Sequence, residues 1–60
     1  MKTFDIILTN LHNPTQTYTE RVQAMDKKAA AEMAARIVGE AKAAGHMAKI
    51  TEIKVDINEV

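Results

Sequence analysis

The apolar residues of this 60-residue chain change their spacing twice, and that change limits the fold more than any other feature. They alternate over residues 2–9 and 16–24, follow a helical spacing over 27–44, and alternate again over 48–58. A period of two residues is typical of a strand with one buried face, and spacings of three and four residues are typical of an amphipathic helix. The predicted order of elements is therefore β-β-α-β.

Local signals separate the first two strands and distinguish their faces. Asn13-Pro14 predicts a turn, because proline fixes its own φ and keeps its predecessor out of the α region. Glu20 interrupts the more apolar face of the second strand, which favours a solvated position near an edge. That strand is predicted to present Tyr18, Glu20, Val22 and Ala24 on one face and Thr17, Thr19, Arg21 and Gln23 on the other.

The helical segment has suitable residues at both ends. Asp26 is a good N-cap, and Gly45 is well placed to end the helix. Because the apolar stripe consists mostly of small residues, the helix can lie close to a sheet. The stripe comprises Ala30, Met33, Ala34, Ile37, Val38, Ala41 and Ala44.

The predicted architecture is an α+β fold in which one helix covers one face of a three-stranded, mainly antiparallel sheet. The order 2-1-3 is favoured because the first strand is the most apolar, and the order 1-2-3 with a parallel pair is the alternative. Sixty residues allow one domain, residues 1–60. The predicted core is Phe4, Ile6, Leu8, Val22, Met33, Ile37, Val38, Ile53, Val55 and Ile57.

Composition suggests that so small a core needs support. Phe4 and Tyr18 are the only aromatic residues, and there is no cysteine to form a disulfide or a thiolate metal site. Association of subunits is the remaining common way to stabilise such a scaffold, and we therefore expect a homodimer.

The sequence contains no pattern typical of a catalytic or metal site. The two histidines, His12 and His46, are expected to be solvated loop residues, since a zinc site needs three or four ligands close together. The chain has no serine, and Glu52 and Asp56 are expected to lie on a solvated strand face. We expect no enzyme activity and no cofactor.

Charge and hydropathy limit the partners and the cellular location that we expect for this protein. Eight basic and eight acidic residues are interspersed, so there is no strongly basic surface for nucleic acid. We expect a cytoplasmic protein that does not bind a membrane, because no signal peptide or membrane-length apolar run is recognisable.

Two surfaces are candidates for binding a partner. An i,i+4 ridge of small residues would let another element approach the helix closely, and the second face of the sheet would expose isolated apolar residues. Arg21 and Tyr18, with Lys49 and Lys54, offer a weaker platform for single-stranded nucleic acid. The predicted interaction residues are Ile7, Tyr18, Arg21, Ile50, Ala31, Ala35, Gly39 and Ala43.

The stretch from Tyr18 to Ala30, a strand ending in Val-Gln-Ala followed by a capped, alanine-rich helix, resembles a recurring type. It looks like that of small phage and prophage proteins of uncharacterised function, and of small archaeal ribosomal proteins, which imply a basic surface that this chain lacks. The expected function is a phage or mobile-element accessory protein that binds a host or viral protein as a homodimer. The alternative is a nucleic-acid-binding accessory protein that uses the open sheet face.

Overall fold

The computed structural model describes residues 1–45 and 52–60. In chain order the elements are β1 (Lys2–Asn10), β2 (Thr17–Ala24), α1 (Lys27–Ala43) and β3 (Ile53–Glu59). The predicted β-β-α-β order is confirmed. Ile50, His46 and the predicted start of the third strand at residue 48 lie outside the described residues.

The three strands form one antiparallel sheet with β1 in the centre. Their order is β2-β1-β3, as the apolar character of the first strand predicted, and the alternative order 1-2-3 is wrong. Leu8 of β1 lies opposite Tyr18 of β2 and Val55 of β3. Since directly opposite residues share a face, this register determines the composition of both sides of the sheet.

One face of the sheet lies against α1, and we call the other the open face. The face against α1 carries Lys2, Phe4, Ile6, Leu8, Asn10, Tyr18, Glu20, Val22, Ala24, Ile53, Val55, Ile57 and Glu59. The open face carries Thr3, Asp5, Ile7, Thr9, Thr17, Thr19, Arg21, Gln23, Lys54, Asp56 and Asn58. The predicted division of the β2 residues between two faces is confirmed.

The core lies between β1 and the inner stripe of α1. Its largest fully buried side chains are Phe4, Ile6, Leu8 and Ile37. Alanines complete it where the helix approaches the sheet, and these are Ala24, Ala30, Ala34 and Ala41. Five other predicted core residues are half-buried and pack around this centre: Val22, Met33, Val38, Ile53 and Ile57.

Two predictions about burial are wrong. Val55 faces the helix side of the sheet but keeps 40% of its surface exposed, so it is not a core residue. Ala44 was expected in the buried stripe, yet α1 ends one residue earlier and Ala44 is an exposed C-cap. Val55 and Ala44 both fit the apolar pattern of the sequence, but they lie at the margin of the core and remain exposed.

The two residues predicted to bound the helix, Asp26 and Gly45, are confirmed in those roles. The Asp26 carboxylate accepts a hydrogen bond of 2.8 Å from the backbone N–H of Ala29, which satisfies a donor in the first turn. Gly45 has φ +85° and its N–H donates to the Lys42 carbonyl at 3.1 Å. This left-handed conformation is the one in which glycine commonly terminates a helix.

The loop between β1 and β2 is organised by a largely buried amide. The Asn10 side chain donates to the Gln16 side chain and accepts from the backbone N–H of His12, both at 2.9 Å. Asn10 is the last residue of β1, one position beyond the alternating segment of residues 2–9. The loop then continues toward β3, where the Leu11 N–H donates to the Glu52 carbonyl at 3.3 Å.

Candidate functional site

The open face is centred on Ile7, as expected for an apolar residue of the middle strand. Ile7 is half-buried and lies between Thr19 and Asp56 on the neighbouring strands. All other side chains that the described strands place on this face are polar or charged. An isolated apolar residue among polar neighbours is ordinary for a solvated sheet.

A bidentate ion pair joins β1 and β2 on the open face. Arg21 donates from Nε to Asp5 Oδ1 at 2.8 Å and from one terminal nitrogen to Asp5 Oδ2 at 3.2 Å. The hydrogen bond from Arg21 lowers the pKa of the Asp5 carboxyl, against the opposing effect of its partial desolvation. The guanidinium that was expected to meet a partner is therefore already engaged with a carboxylate of its own chain.

The other basic residue of the open face is also next to an acid. Lys54 Nζ lies 3.8 Å from Asp56 Oδ2, two residues further along β3. Both side chains are substantially exposed. The described part of the open face therefore presents paired charges of both signs, a different surface from the positive groove that tracks a nucleic-acid backbone.

Tyr18 lies on the opposite side of the sheet from Arg21. Its hydroxyl donates to Glu20 Oε1 at 3.3 Å, on the face against α1. Desolvation raises the pKa of the Tyr18 phenol, with further increases from the charges of Glu20 and Glu40. The sequence-based suggestion that Tyr18 and Arg21 form one nucleic-acid platform is wrong, because successive strand residues alternate between faces and these two are an odd number of positions apart.

The predicted ridge of small residues does lie on the surface of α1. Ala31, Ala35, Gly39 and Ala43 are all exposed. A Cβ built onto Gly39 meets no heavy atom within 4 Å, so the chain itself provides no packing reason for a glycine there. The ridge has the expected position, but the described residues hold nothing that marks it as a contact surface.

The feature that the sequence interpretation missed is the outer edge of β3. Glu40 raises the pKa of Tyr18, so that flank of the helix faces β2. Val38 lies roughly opposite Glu40 around the helix, on the flank toward β3. Val55 lies opposite Leu8 on this outer strand, and α1 leaves 40% of its surface exposed.

A sequence signal for this edge was present. Residues 53–57 read Ile-Lys-Val-Asp-Ile, with apolar residues at both ends and in the middle, and opposite charges between them. The pattern was interpreted as ordinary strand alternation. Its symmetry about Val55 becomes relevant when the strand is an edge, and β3 is an outer strand of the sheet that the described residues form.

His12 forms no metal site with the other described residues, and His46 lies outside them. His12 is exposed, as expected, and its Nε2 lies 3.3 Å from a carboxylate oxygen of Glu52. Within residues 1–45 and 52–60, no three metal-ligating side chains come together and there is no cavity. No helix in that part has the length and apolar character needed to cross a membrane.

Comparisons with known proteins found no protein similar to this chain. No protein-family model matches the chain, and neither the curated proteins nor the solved structures that were compared contain a match. The interpretation of the candidate surfaces therefore depends on the geometry of this chain alone.

Proposed function

We propose that this protein is a non-enzymatic protein-binding module that acts as a homodimer and uses the outer edge of β3 as its subunit contact. A sheet edge presents a row of backbone donors and acceptors on which another strand can pair. Strand addition of this kind combines backbone hydrogen bonds with specificity from alternate side chains.

The partial exposure of Val55 carries the proposal. The β3 side chains on the face against α1 are all apolar up to Glu59, and the central one is left 40% exposed at the edge of the molecule. Ile53 and Ile57 on either side are half-buried. A second strand placed along β3 would remove this surface from water, and apolar burial is the main favourable term in association.

The wider biological setting remains a prediction from sequence. The stretch from Tyr18 to Ala30 resembles small phage and prophage proteins, and that resemblance is the reason to expect a host or viral protein as the further partner. In a β3-linked dimer the open face and the β2 edge of each copy would stay accessible to such a partner.

The subunit contact is tested by measuring molar mass with light scattering for the wild type, V55E and Q23E. Both variants add one negative charge at an exposed edge position, but Gln23 lies on β2. We expect dimers for the wild type and Q23E and a folded monomer for V55E, with folding checked by circular dichroism.

Two results would contradict the proposal in different ways. A wild type that is monomeric at every concentration removes the homodimer. A V55E variant that stays dimeric like Q23E keeps the homodimer but moves its contact away from β3.

A further inference from the structure

We propose that two copies pair β3 to β3 in antiparallel fashion about a twofold axis at Val55, joining two three-stranded sheets into one continuous sheet of six strands. This geometry rests on the proposed homodimer and specifies its register. It would place both helices on the same side of the joined sheet.

The backbone of β3 has the direction that this pairing needs. The Val60 N–H donates to the Thr3 carbonyl and the Leu11 N–H donates to the Glu52 carbonyl, at 2.9 and 3.3 Å. Even-numbered residues of β3 therefore point their backbone groups at β1. Because these directions alternate along an antiparallel strand, the odd-numbered residues, including Val55, point theirs outward to the free edge.

The charged residues of β3 favour one register for this pairing. With the axis at Val55, Lys54 of one copy lies directly opposite Asp56 of the other, and the same pair recurs on the other side of the axis. Opposite charges in directly facing positions stabilise a strand pair, and like charges there destabilise it. These two residues already lie 3.8 Å apart within one chain, so the four charges would form one alternating cluster.

On the face against α1, the apolar residues of the two copies also lie opposite one another in this register. Ile53 of one copy lies opposite Ile57 of the other, and Val55 lies opposite its own copy. The half-exposed apolar row along the edge would thus meet an identical row in reverse. Contact between these facing apolar side chains would remove their exposed surface from water.

Neighbouring registers lack this match. An axis at residue 54 sets Lys54 opposite Lys54, and an axis at residue 56 sets Asp56 opposite Asp56. Moving the axis to residue 57 places Val55 opposite Glu59. Of the axis positions near the middle of β3, only Val55 pairs opposite charges on one face and apolar residues on the other.

The outer edge of β2 is poorly suited to the same kind of self-pairing. Its midpoint falls between Glu20 and Arg21. An axis at either residue sets that residue opposite its own copy, which brings like charges together. The comparison favours β3 as the self-pairing edge and leaves β2 free.

Charge-reversal variants test the register, and combining two of them should restore dimerisation. K54D and D56K should each weaken dimerisation by at least about tenfold, since each turns two attractive pairs into repulsive ones. An equimolar mixture of the two variants, and the double variant K54D/D56K, should recover dimers because each restores opposite charges across the axis. Sedimentation equilibrium gives the dissociation constants.

A single cysteine tests the axis position directly, because the natural chain has none. The Cα atoms of facing residue 55 would be about 5.5 Å apart, within the range of a disulfide. Under mild oxidation, V55C should form a covalent dimer. The control I57C should not, because its two positions would be about 13 Å apart along the strands.

The outcomes separate this inference from the homodimer itself. A dimeric wild type whose K54D, D56K and mixed samples all dimerise equally, or an I57C variant that cross-links faster than V55C, overturns the register and leaves the homodimer standing. A monomeric wild type overturns both.

Discussion

At the scale of single residues, two ionisable side chains report on the fold. Tyr18 is on the face against α1, and Asp5 is on the open face beside Arg21. Folding displaces the pKa values of both groups, for Tyr18 chiefly through desolvation and for Asp5 chiefly through the hydrogen bond from Arg21. Because Asp5 and Arg21 are directly opposite in β1 and β2, the titration of Asp5 reports on that register.

Tyr18 should ionise above its ordinary pKa of 10.0, first because it is desolvated and then because Glu20 and Glu40 are nearby. The raised pKa means that its contribution to stability is complete below the unfolded value and is lost as pH rises through the folded value. With one tyrosine and no tryptophan, tyrosinate absorbance gives this midpoint without overlap. E20Q should lower the midpoint only part of the way toward 10.0. An unshifted wild-type midpoint would contradict the described environment of Tyr18.

The Asp5–Arg21 pair should make stability depend on pH in the acid range. Because the hydrogen bond from Arg21 lowers the folded pKa of Asp5, the contribution is present above the ordinary value of 3.8 and is lost as pH falls through the folded value. The thermal midpoint of R21Q should lie below that of the wild type at neutral pH, and the two should converge in strong acid. A constant gap between them from pH 7 to about pH 2 would show that the pair is not formed.

At the scale of elements, α1 combines well-formed ends with one weak interior position. Asp26 caps the start, and Gly45 ends the helix with a left-handed conformation. Gly39 lies in between, exposed and without a packing neighbour for an added Cβ. The two glycines of this chain therefore have opposite conformational requirements.

G39A should stabilise the protein by about 0.5–1 kcal/mol, because alanine reduces the entropy lost on forming an exposed helix. G45A should destabilise it by roughly 1 kcal/mol or more, because φ +85° is strained for any residue with a Cβ. Denaturant unfolding of both variants measures the two effects at the same protein concentration. Equal effects of the two substitutions would contradict the assignment of the helix end.

The elements were predictable because their signals are local. Alternation identified β1 and β2, and Asp26 and Gly45 bounded the helix within one residue. The central position of β1 followed from its apolar character. These predictions needed only the chain's own periodicity and end signals.

The features that were not predicted from the sequence depend on which neighbours each residue contacts in the fold. Val55 has the same apolar pattern as the core residues, and its exposure follows from its place on an outer strand that α1 covers only in part. The separation of Tyr18 from Arg21 was available from strand alternation and was overlooked when both were grouped by chemistry. The outer edge of β3 acquired significance only once the strand order was known.

At the scale of the whole molecule, the structure is a thin two-layer unit with a small core and two free edges among its described strands. Among the residues that the structure describes, four large side chains are fully buried, and alanines fill much of the remaining core. Small domains bury a limited fraction of their surface and have little stability to spare. Pairing through β3 would add buried apolar area where the helix leaves the sheet uncovered.

The central claim is that folding and dimerisation are coupled, and the thermal midpoint measured over a hundredfold range of protein concentration tests it most directly. If pairing of two copies adds to the stability of the fold, the midpoint should rise with concentration, by on the order of 10 °C across that range. V55E, with its contact removed, should show a lower midpoint that does not change with concentration. A wild-type midpoint that stays constant across the whole range, together with a monomer mass at the highest concentration, would contradict the account.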